Sequence, residues 1–522
     1  MKRILFKFAL LAAVLCGLAS CKDNEYPVPG PGPQPEEIDP YTIIYYAHGG
    51  GNLDISLFAN MLAMYNADKD SYDHVNIVGQ YKFSSEGSFD KLLKQFEMFG
   101  VSEEELAAAK EYIDDMRSRS SRTSRFIINP ADIIGMDPDS PPTALPFFDE
   151  SCLLDDDNAS VTSPDALAEF IDWAATMRPA KKYILVVSDH GGGYRPDDEI
   201  PDLETRGFVY DDGNQNDHFT AKSFAKALGK ASVRPSVVYY DACLMNNAEY
   251  LFEIAPLCDY IVASTFVVPG QGGNYSELID LLAENPDDIE KALAEYTQAT
   301  VGRWDSSISK PDDPNEPVCY DLSVIRTSDV DELGGHIRAF VDKLISLYQS
   351  GDSEAKAKID QITAGAYKVA ESYPYYDLIK YLVEINIAFP EIFGSVFEQP
   401  IGQVYDNMIV YQQSSEWLLE NQCNVDLSVL LGCNGHYTLD GWITMQYNAD
   451  GTASGTFMDR TIEAAWPSTF EDTYCKLRFD ELTGWSRWIM ANGQEPSLEC
   501  FSNYSPLLPA DLSPTQGADV EE

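Results

Sequence analysis

Apolar runs alternate with amphipathic segments along the first half of the chain. Between two of these runs, residues 164–177 place Leu167, Phe170, Ile171 and Ala174 on one helical face. This alternation predicts an α/β fold with a mostly parallel sheet flanked by helices. The apolar runs predict strands within residues 41–54, 74–83, 182–190, 235–243 and 258–275.

Helical spacing dominates the second half of the chain. Long helical patterns start at Ile289 and Val330, and shorter strand-like pieces follow. We therefore expect a core at 41–290, a smaller helical and mixed region at 291–500 and a flexible tail at 501–522. The polar residues 191–220 predict a loop.

The N-terminus carries the pattern of a secretory signal. Basic residues at positions 2, 3 and 7 precede an apolar run that is too short to span a membrane. The stretch Leu18–Cys21 resembles a bacterial lipobox, which implies cleavage before Cys21 and lipid attachment to its thiol. The alternative is an ordinary signal peptide, 1–21, with an incidental cysteine.

Residues 22–40 are rich in proline and glycine and predict a semi-rigid tether. Their first residues, Lys22–Glu25, resemble the acidic export tag of surface lipoproteins in some Gram-negative bacteria. We therefore expect a protein of the bacterial cell envelope, lipid-anchored in the outer membrane and exposed at the surface.

Composition excludes several classes of protein. The 522 residues are 44% hydrophobic and carry a formal net charge of −48. That balance argues against nucleic-acid binding, which needs clustered lysine and arginine. Eight cysteines beyond Cys21 are scattered without a CxxC pair, which fits neither a zinc site nor a small disulfide scaffold.

Two predicted strands end in residues that can form a nucleophile and a base. One ends in Asp189-His190-Gly191 and the other in Asp241-Ala242-Cys243. In a parallel sheet both ends fall on the same edge, where an imidazole can raise the thiolate fraction of a thiol. The backbone N–H groups of Gly191 and Cys243 can then form an oxyanion hole.

Each residue also has a structural interpretation. Cysteine at the end of an apolar run is often a small core residue, and histidine before three glycines is often a turn residue. The combination of His190 and Cys243, at successive strand ends, favours the catalytic interpretation.

The motifs "DHGGGY" (189–194) and "YDACLM" (240–245) resemble the clostripain family of cysteine peptidases, related to caspases, gingipains and legumain. The resemblance extends over roughly 41–490 and is strongest at 165–275. It implies a caspase-like fold and a Cys243/His190 dyad that hydrolyses peptide bonds through a thioester. The expected partners are peptide or protein substrates.

The resemblance also implies the specificity of the site. Asp241 corresponds to the base of the primary pocket and would select Arg or Lys before the scissile bond, although it can instead cap the following helix. Relatives mature by self-cleavage after a basic residue, for which Arg195 and Arg206 are candidates. Some relatives need calcium, but no EF-hand spacing is present, so we predict no metal site and no cofactor.

One segment departs from the family pattern. Where relatives commonly carry Gly-Trp-Pro-Tyr in the wall of the pocket, this chain has Gly272-Gly273-Asn274-Tyr275. The shape of the pocket is therefore not carried over from the family.

Two other classes of protein fit parts of the sequence. "HGGG" occurs at 48–51 and at 190–193 and resembles the oxyanion loop of lipases, but no Gly-x-Ser-x-Gly elbow accompanies it. His48 is better interpreted as a turn residue near the active edge. A surface-anchored binding lipoprotein on an inactive peptidase fold is the second alternative, and thiol alkylation of Cys243 distinguishes it from an enzyme.

Overall fold

The computed structural model describes most of the chain between residues 38 and 492. The described residues are 38–90, 110, 113–128, 150–154, 160–194, 208–214, 217–308, 318–367, 369, 375–431, 437–447, 453–462 and 474–492. Within them the chain forms two compact units, residues up to 334 with 401–424, and residues 335–400 with those from 425 onward.

An eight-stranded sheet organises the first unit, with strand order β11-β9-β8-β7-β4-β1-β2-β3. The neighbours from β2 through β1, β4 and β7 to β8 are parallel, and β3, β9 and β11 pair antiparallel at the two edges. The strands are β1 Asp39–His48, β2 Val75–Lys82, β3 Thr123–Ile128, β4 Ala180–Ser188, β7 Val237–Asp241, β8 Tyr260–Ala263, β9 Asp321–Arg326 and β11 Ile409–Ser414. This sheet confirms the predicted α/β fold.

The central strands are buried, as expected for a parallel sheet whose connections are helices that cover its faces. Residues Ile184 to Val187 of β4 are fully buried, which explains why this strand is a continuous apolar run instead of an alternating one. The helices are α1 Asp54–Ala63, α2 Pro164–Met177, α3 Ala221–Lys230, α4 Ala248–Ile254, α5 Tyr275–Glu284, α6 Ile289–Ser307, α11 Val404–Met408 and α12 Glu416–Glu420.

Local signals fix where two of these helices begin. Ser163 caps α2 by accepting the N–H of Asp165, and Pro164 occupies the first turn, so the helix predicted at 164–177 is confirmed to the residue. Thr220 and Ser223 form a reciprocal capping box at the start of α3.

The second unit contains helices and two pairs of antiparallel strands. Strand β10 pairs with β12, and β13 pairs with β14. The elements are α8 Ser353–Ala364, β10 Tyr375–Asp377, α9 Leu378–Ala388, α10 Pro390–Phe397, β12 Ser428–Leu430, β13 Tyr437–Tyr447, β14 Ala453–Ile462, α13 Arg478–Thr483 and α14 Trp485–Asn492. Helix α7, Val330–Tyr348, runs across the boundary in sequence between the units.

The structure differs from the sequence prediction at β3, where no strand was predicted, and in two further places. The segment predicted as a loop at 191–220 contains a short antiparallel hairpin, β5 Phe208–Asp211 with β6 Asp217–Phe219. The core was predicted to end at residue 290, whereas β9 and β11 extend the same sheet to Ser414.

Strand register brings three loops to one edge of the sheet. Ser188 at the end of β4 pairs with Asp241 at the end of β7 and with Ala47 at the end of β1. Residues 48–53, 189–194 and 242–247, which follow these partners, therefore start side by side.

Candidate active site

His190 lies just beyond β4 and is held by its neighbours in the chain and by β5. The Asp189 carboxylate accepts the N–H of His190 and, through Oδ2, that of Tyr210 at 2.8 Å. The carbonyl of His190 accepts the N–H of Val209 at 3.2 Å. His190 is 9% exposed, and Nε2 of its imidazole lies 2.7 Å from Oδ1 of Asn52.

Cys243 lies at the equivalent place beyond β7, on a sharp turn. Leu244 directly after it has a left-handed φ of 63°, a conformation that is costly for a residue with a side chain. The turn is fixed because the N–H of Leu244 donates to the carbonyl of Phe266 at 2.9 Å. The half-buried Cys243 Sγ accepts the N–H of Val268 at 3.3 Å, a contact that favours the thiolate.

The backbones of Gly191 and Cys243 are in close contact. A Cβ added to residue 191 would lie 2.2 Å from the carbonyl oxygen and 2.9 Å from the amide nitrogen of Cys243. Only glycine allows this approach. The two residues predicted to supply the oxyanion-hole amides therefore lie next to each other.

Asp241 is buried beneath this edge and has one satisfied and one unsatisfied oxygen. Its Oδ2 accepts from Tyr275 Oη at 2.6 Å, Ser188 Oγ at 3.0 Å and Gly273 N–H at 3.3 Å. Its Oδ1 has no hydrogen-bond partner among the described residues. Burial raises the pKa of Asp241, against these hydrogen bonds and the nearby Arg303 guanidinium, which lower it.

The segment 272–275 next to Asp241 is braced by helix α6. The carbonyl of Gly272 accepts from Arg303 Nη2 at 2.6 Å and from Trp304 Nε1 at 3.0 Å. A Cβ on Gly272, whose φ is +57°, would lie 2.3 Å from Asn60 Nδ2 and 2.9 Å from Asp241 Oδ2. Trp304 of α6 therefore supports segment 272–275, which lacks the tryptophan that relatives commonly carry there.

A buried cluster of charged groups lies behind the site. His48 lies 3.4 Å from both Asp189 and Asp211, through Nδ1 and Nε2 respectively. Lys82 donates to both oxygens of Asp211 at 2.8 and 2.9 Å. All four side chains are fully buried. Burial disfavours the charge of Asp211, but His48 and Lys82 hold its pKa at about 2.

His48 couples this cluster to the loop that follows β1. Burial lowers the pKa of His48, but the carboxylates of Asp189 and Asp211 outweigh that effect and raise it. The Gly50 N–H points at Nδ1 of His48 from 2.7 Å and needs its lone pair, so full protonation of the ring would break this contact.

The structure brings together most of the residues predicted from sequence, and it adds others. His190, Gly191, Asp241 and Cys243 meet at one sheet edge, whereas three predicted positions lie outside the described residues: Cys21, Arg195 and Arg206. Sequence reasoning missed Asn52, whose only signal was its place after the first "HGGG". It also missed the amide of Val268, for which the sequence holds no signal.

The described residues contain no group of three or more His, Cys, Asp or Glu side chains arranged to hold a metal ion. Among the same residues, no helix combines the length and apolar character needed to cross a bilayer.

A thiol and an imidazole beyond neighbouring parallel strands, beside two adjacent backbone amides, are the arrangement of a cysteine peptidase of the caspase-like class. The sequence profile of the clostripain family matches residues 149–440, more than half of the 522 residues. The chain therefore belongs to the clostripain family of cysteine peptidases.

Individual proteins show the same likeness. The chain is 30% identical to clostripain of Hathewaya histolytica over a segment that covers 25% of this chain and 27% of that protein. It thus spans about a quarter of the length of this curated relative. A solved structure of a secreted C11 cysteine protease of Bacteroides thetaiotaomicron, iotapain, is 14% identical with a TM-score of 0.50. The match between the two structures covers 87% of this chain and 99% of the iotapain chain, and it supports the assigned fold.

Proposed function

We propose that this chain is a cysteine endopeptidase in which Cys243 is the nucleophile and His190 the general base. The observation that carries the proposal is the strand register, which pairs Ser188 with Asp241 and so sets both residues beyond adjacent strand ends. The Val268 amide at 3.3 Å from Sγ supports a thiolate at this position.

The proposed reaction uses groups of the chain and one water molecule. The Cys243 thiol transfers its proton to His190, and the sulfur forms a bond to the scissile carbonyl carbon while the oxygen takes the electron pair. The amides of Gly191 and Cys243 stabilise this oxyanion. The C–N bond breaks as His190 returns the proton to the leaving amine, which leaves a thioester on Cys243.

Water then completes the cycle. His190 removes a proton from the attacking water, a second oxyanion forms, and the C–S bond breaks. The carboxyl product leaves and the proton returns to sulfur. No cofactor takes part in these steps.

We further propose that cleavage follows Arg or Lys. The buried Oδ1 of Asp241, which has no hydrogen-bond partner among the described residues, supports this preference. A buried carboxylate is unfavourable unless it is paired, and the guanidinium or ammonium of a substrate would supply both a hydrogen-bond donor and a positive charge. Tyr275, Ser188 and Gly273 fix the other oxygen, so Oδ1 keeps one orientation.

The test compares residues 22–522 with its Cys243→Ala variant on fluorogenic peptides that end in Arg, Lys, Asp or Asn. Cleavage after Arg or Lys that the variant loses would support both the dyad and the pocket. Cleavage after another residue alone would retain the dyad and contradict the basic preference. No cleavage, with folded protein and an unreactive Cys243, would favour a binding lipoprotein.

Alkylation of the thiols provides an internal control. Burial raises the pKa of the partly exposed Cys319 to about 12, so this thiol should react slowly at neutral pH. A Cys319→Ala variant should therefore retain activity, whereas Cys243 should be the site that reacts first with iodoacetamide.

We also propose that the mature protein is anchored by lipid on Cys21 in the outer membrane, exposed at the cell surface. The support is the sequence alone, a basic and apolar leader that ends in Leu18–Cys21. Mass spectrometry of the N-terminal peptide tests it, and an unmodified Cys21 in membrane fractions would contradict it.

A further inference from the structure

The imidazole of His190 is in hydrogen-bond contact with the side chain of Asn52. Nε2 of His190 lies 2.7 Å from Oδ1 of Asn52, and these residues are 138 positions apart in the chain. An amide oxygen can only accept a hydrogen bond, so a contact of this length requires the imidazole proton on Nε2. The lone pair is then on Nδ1.

We propose that Asn52 is a positioning residue that selects this tautomer of His190 and thereby makes Nδ1 the nitrogen that takes the thiol proton of Cys243. The proposal rests on the proposed peptidase function and deepens it. When Nδ1 is protonated, Asn52 keeps its hydrogen bond to Nε2–H, so the imidazolium holds the same orientation through the cycle.

The loop after β1 is built to hold Asn52 in place. The N–H of Asn52 donates to Gly49 O at 3.1 Å, and the N–H of Gly49 donates to Lys82 O at 3.0 Å. The N–H of Gly51 donates to Ser84 Oγ at 3.0 Å. The loop is therefore supported by the last residue of β2 and by Ser84, which lies two residues after that strand.

The same loop is fitted to the imidazole edge. A Cβ added to Gly50, whose φ is +56°, would lie 2.8 Å from Cδ2 of His190 and 2.3 Å from Oδ1 of Asp189. Cδ2 is the ring carbon bonded to Nε2. Gly50 and Asn52 therefore meet adjacent atoms of one ring edge, and Nδ1 lies on the opposite edge.

His48 joins the base of this loop to the residue before His190. Its Nδ1 faces Asp189 at 3.4 Å and accepts the Gly50 N–H at 2.7 Å. The titratable groups around this loop and His190 include His48 from β1, Asp54 from α1, Lys82 from β2, Asp189 after β4, Asp211 and Asp212 in and after β5, and Asp241 and Cys243 in and after β7. Asn52 adds a neutral acceptor to this set.

The role predicts different results for two substitutions in the full mature chain. Asn52→Ala removes the acceptor, and we expect kcat to fall about 100-fold with KM changed less than about 3-fold. Asn52→Asp keeps an acceptor in place, so kcat should stay within about 10-fold of the wild type. An exposed asparagine, Asn66→Ala, is the matched control and should leave both constants unchanged.

The pH profile separates positioning from a structural role. A carboxylate at residue 52 favours the imidazolium, so the alkaline limb of kcat/KM should move up by about one pH unit in Asn52→Asp. A residue that only stabilises the fold would not move this limb. Activity of Asn52→Ala within about 3-fold of the wild type, or Asn52→Asp as inactive as Asn52→Ala, would overturn the proposal.

Alkylation of Cys243 tests the inference without a substrate. Loss of the acceptor weakens the thiolate–imidazolium pair, so the pH midpoint of iodoacetamide reaction at Cys243 should rise in folded Asn52→Ala. A wild-type chain that cleaves no peptide, together with this shift, would retain Asn52 and reject the peptidase function. An unchanged midpoint would reject the role of Asn52 itself.

Discussion

The backbone of Gly191 lies against that of Cys243 so closely that a methyl group on residue 191 would fall 2.2 Å from the Cys243 carbonyl oxygen. This contact joins the chain after β4 to the chain after β7, where we propose the oxyanion hole. It also makes the glycine after His190 a requirement of geometry.

Substitution Gly191→Ala should therefore remove activity. The added carbon must push the two backbones apart, and losing the alignment of oxyanion-hole amides costs about 100-fold or more in kcat. Steady-state kinetics on the preferred peptide would measure it. Gly302→Ala, where the added carbon meets nothing within 4 Å, is the control and should keep full activity. Equal activity of Gly191→Ala and wild type would contradict the oxyanion hole proposed here.

Asp241→Asn should change which peptides are cleaved. The variant keeps an oxygen for Tyr275 and Ser188 but loses the negative charge, so kcat/KM for Arg and Lys peptides should fall about 100-fold or more. Peptides with a neutral residue before the bond should lose much less. A uniform loss for all peptides would instead indicate that Asp241 is structural.

Lys82→Met should destabilise the fold, because it removes the ammonium that donates to both oxygens of the buried Asp211. Removing one partner of a buried ion pair costs about 3–5 kcal/mol. Chemical denaturation followed by tryptophan fluorescence would measure the loss. The exposed Lys69→Met is the control, with an expected change below about 0.5 kcal/mol. Equal midpoints for the two variants would show that the His48 contact alone maintains Asp211.

Asp321 should make stability depend on pH in an unusual direction. Burial raises its pKa to about 6, against hydrogen bonds from Ser264, Thr265 and Phe266. The folded protein then binds more protons than the unfolded chain between about pH 4 and 6, so this group lowers stability as pH rises through that window. Asp321→Asn should reduce the decline by up to about 3 kcal/mol. Parallel curves of unfolding free energy against pH would refute this.

Chelation should leave activity unchanged. The proposed steps use Cys243, His190, backbone amides and water, and the described residues present no cluster of metal ligands. Dialysis against EDTA, followed by assay with and without added Ca²⁺, tests this expectation. If activity is lost in EDTA and restored by Ca²⁺, the protein requires a bound calcium ion and this expectation is wrong.

The fold was largely predictable because its signals are local. Helix 164–177 carries both its cap and its apolar period, and β4 is continuously apolar from Ile184 to Val187. The hairpin 208–219 was missed because each strand is short and contains aspartate. The buried carboxylate of Asp211 is paired with the distant residues His48 and Lys82, and that of Asp217 accepts from Thr162 Oγ1.

The part of the site that depends on the type of side chain and on its place at a strand end could be predicted from the sequence. His190, Gly191 and Cys243 follow strands and Asp241 ends one, and the parallel pairing of β4 with β7 brings them together. Asn52 could not be assigned because its contact depends on loop geometry across 138 residues. The Val268 amide belongs to the backbone, and any residue except proline would supply it.

The placement of the site on β1, β4 and β7 has a consequence for the cell that makes the protein. Asn52 leaves the ribosome long before His190, and His190 long before Cys243, and none of the three is functional until their strands are joined in register. Because contacts over such long separations form late in folding, nascent and partly folded chains hold no assembled proteolytic centre. Long-range topology thus keeps the proposed catalytic residues apart until their strands have paired.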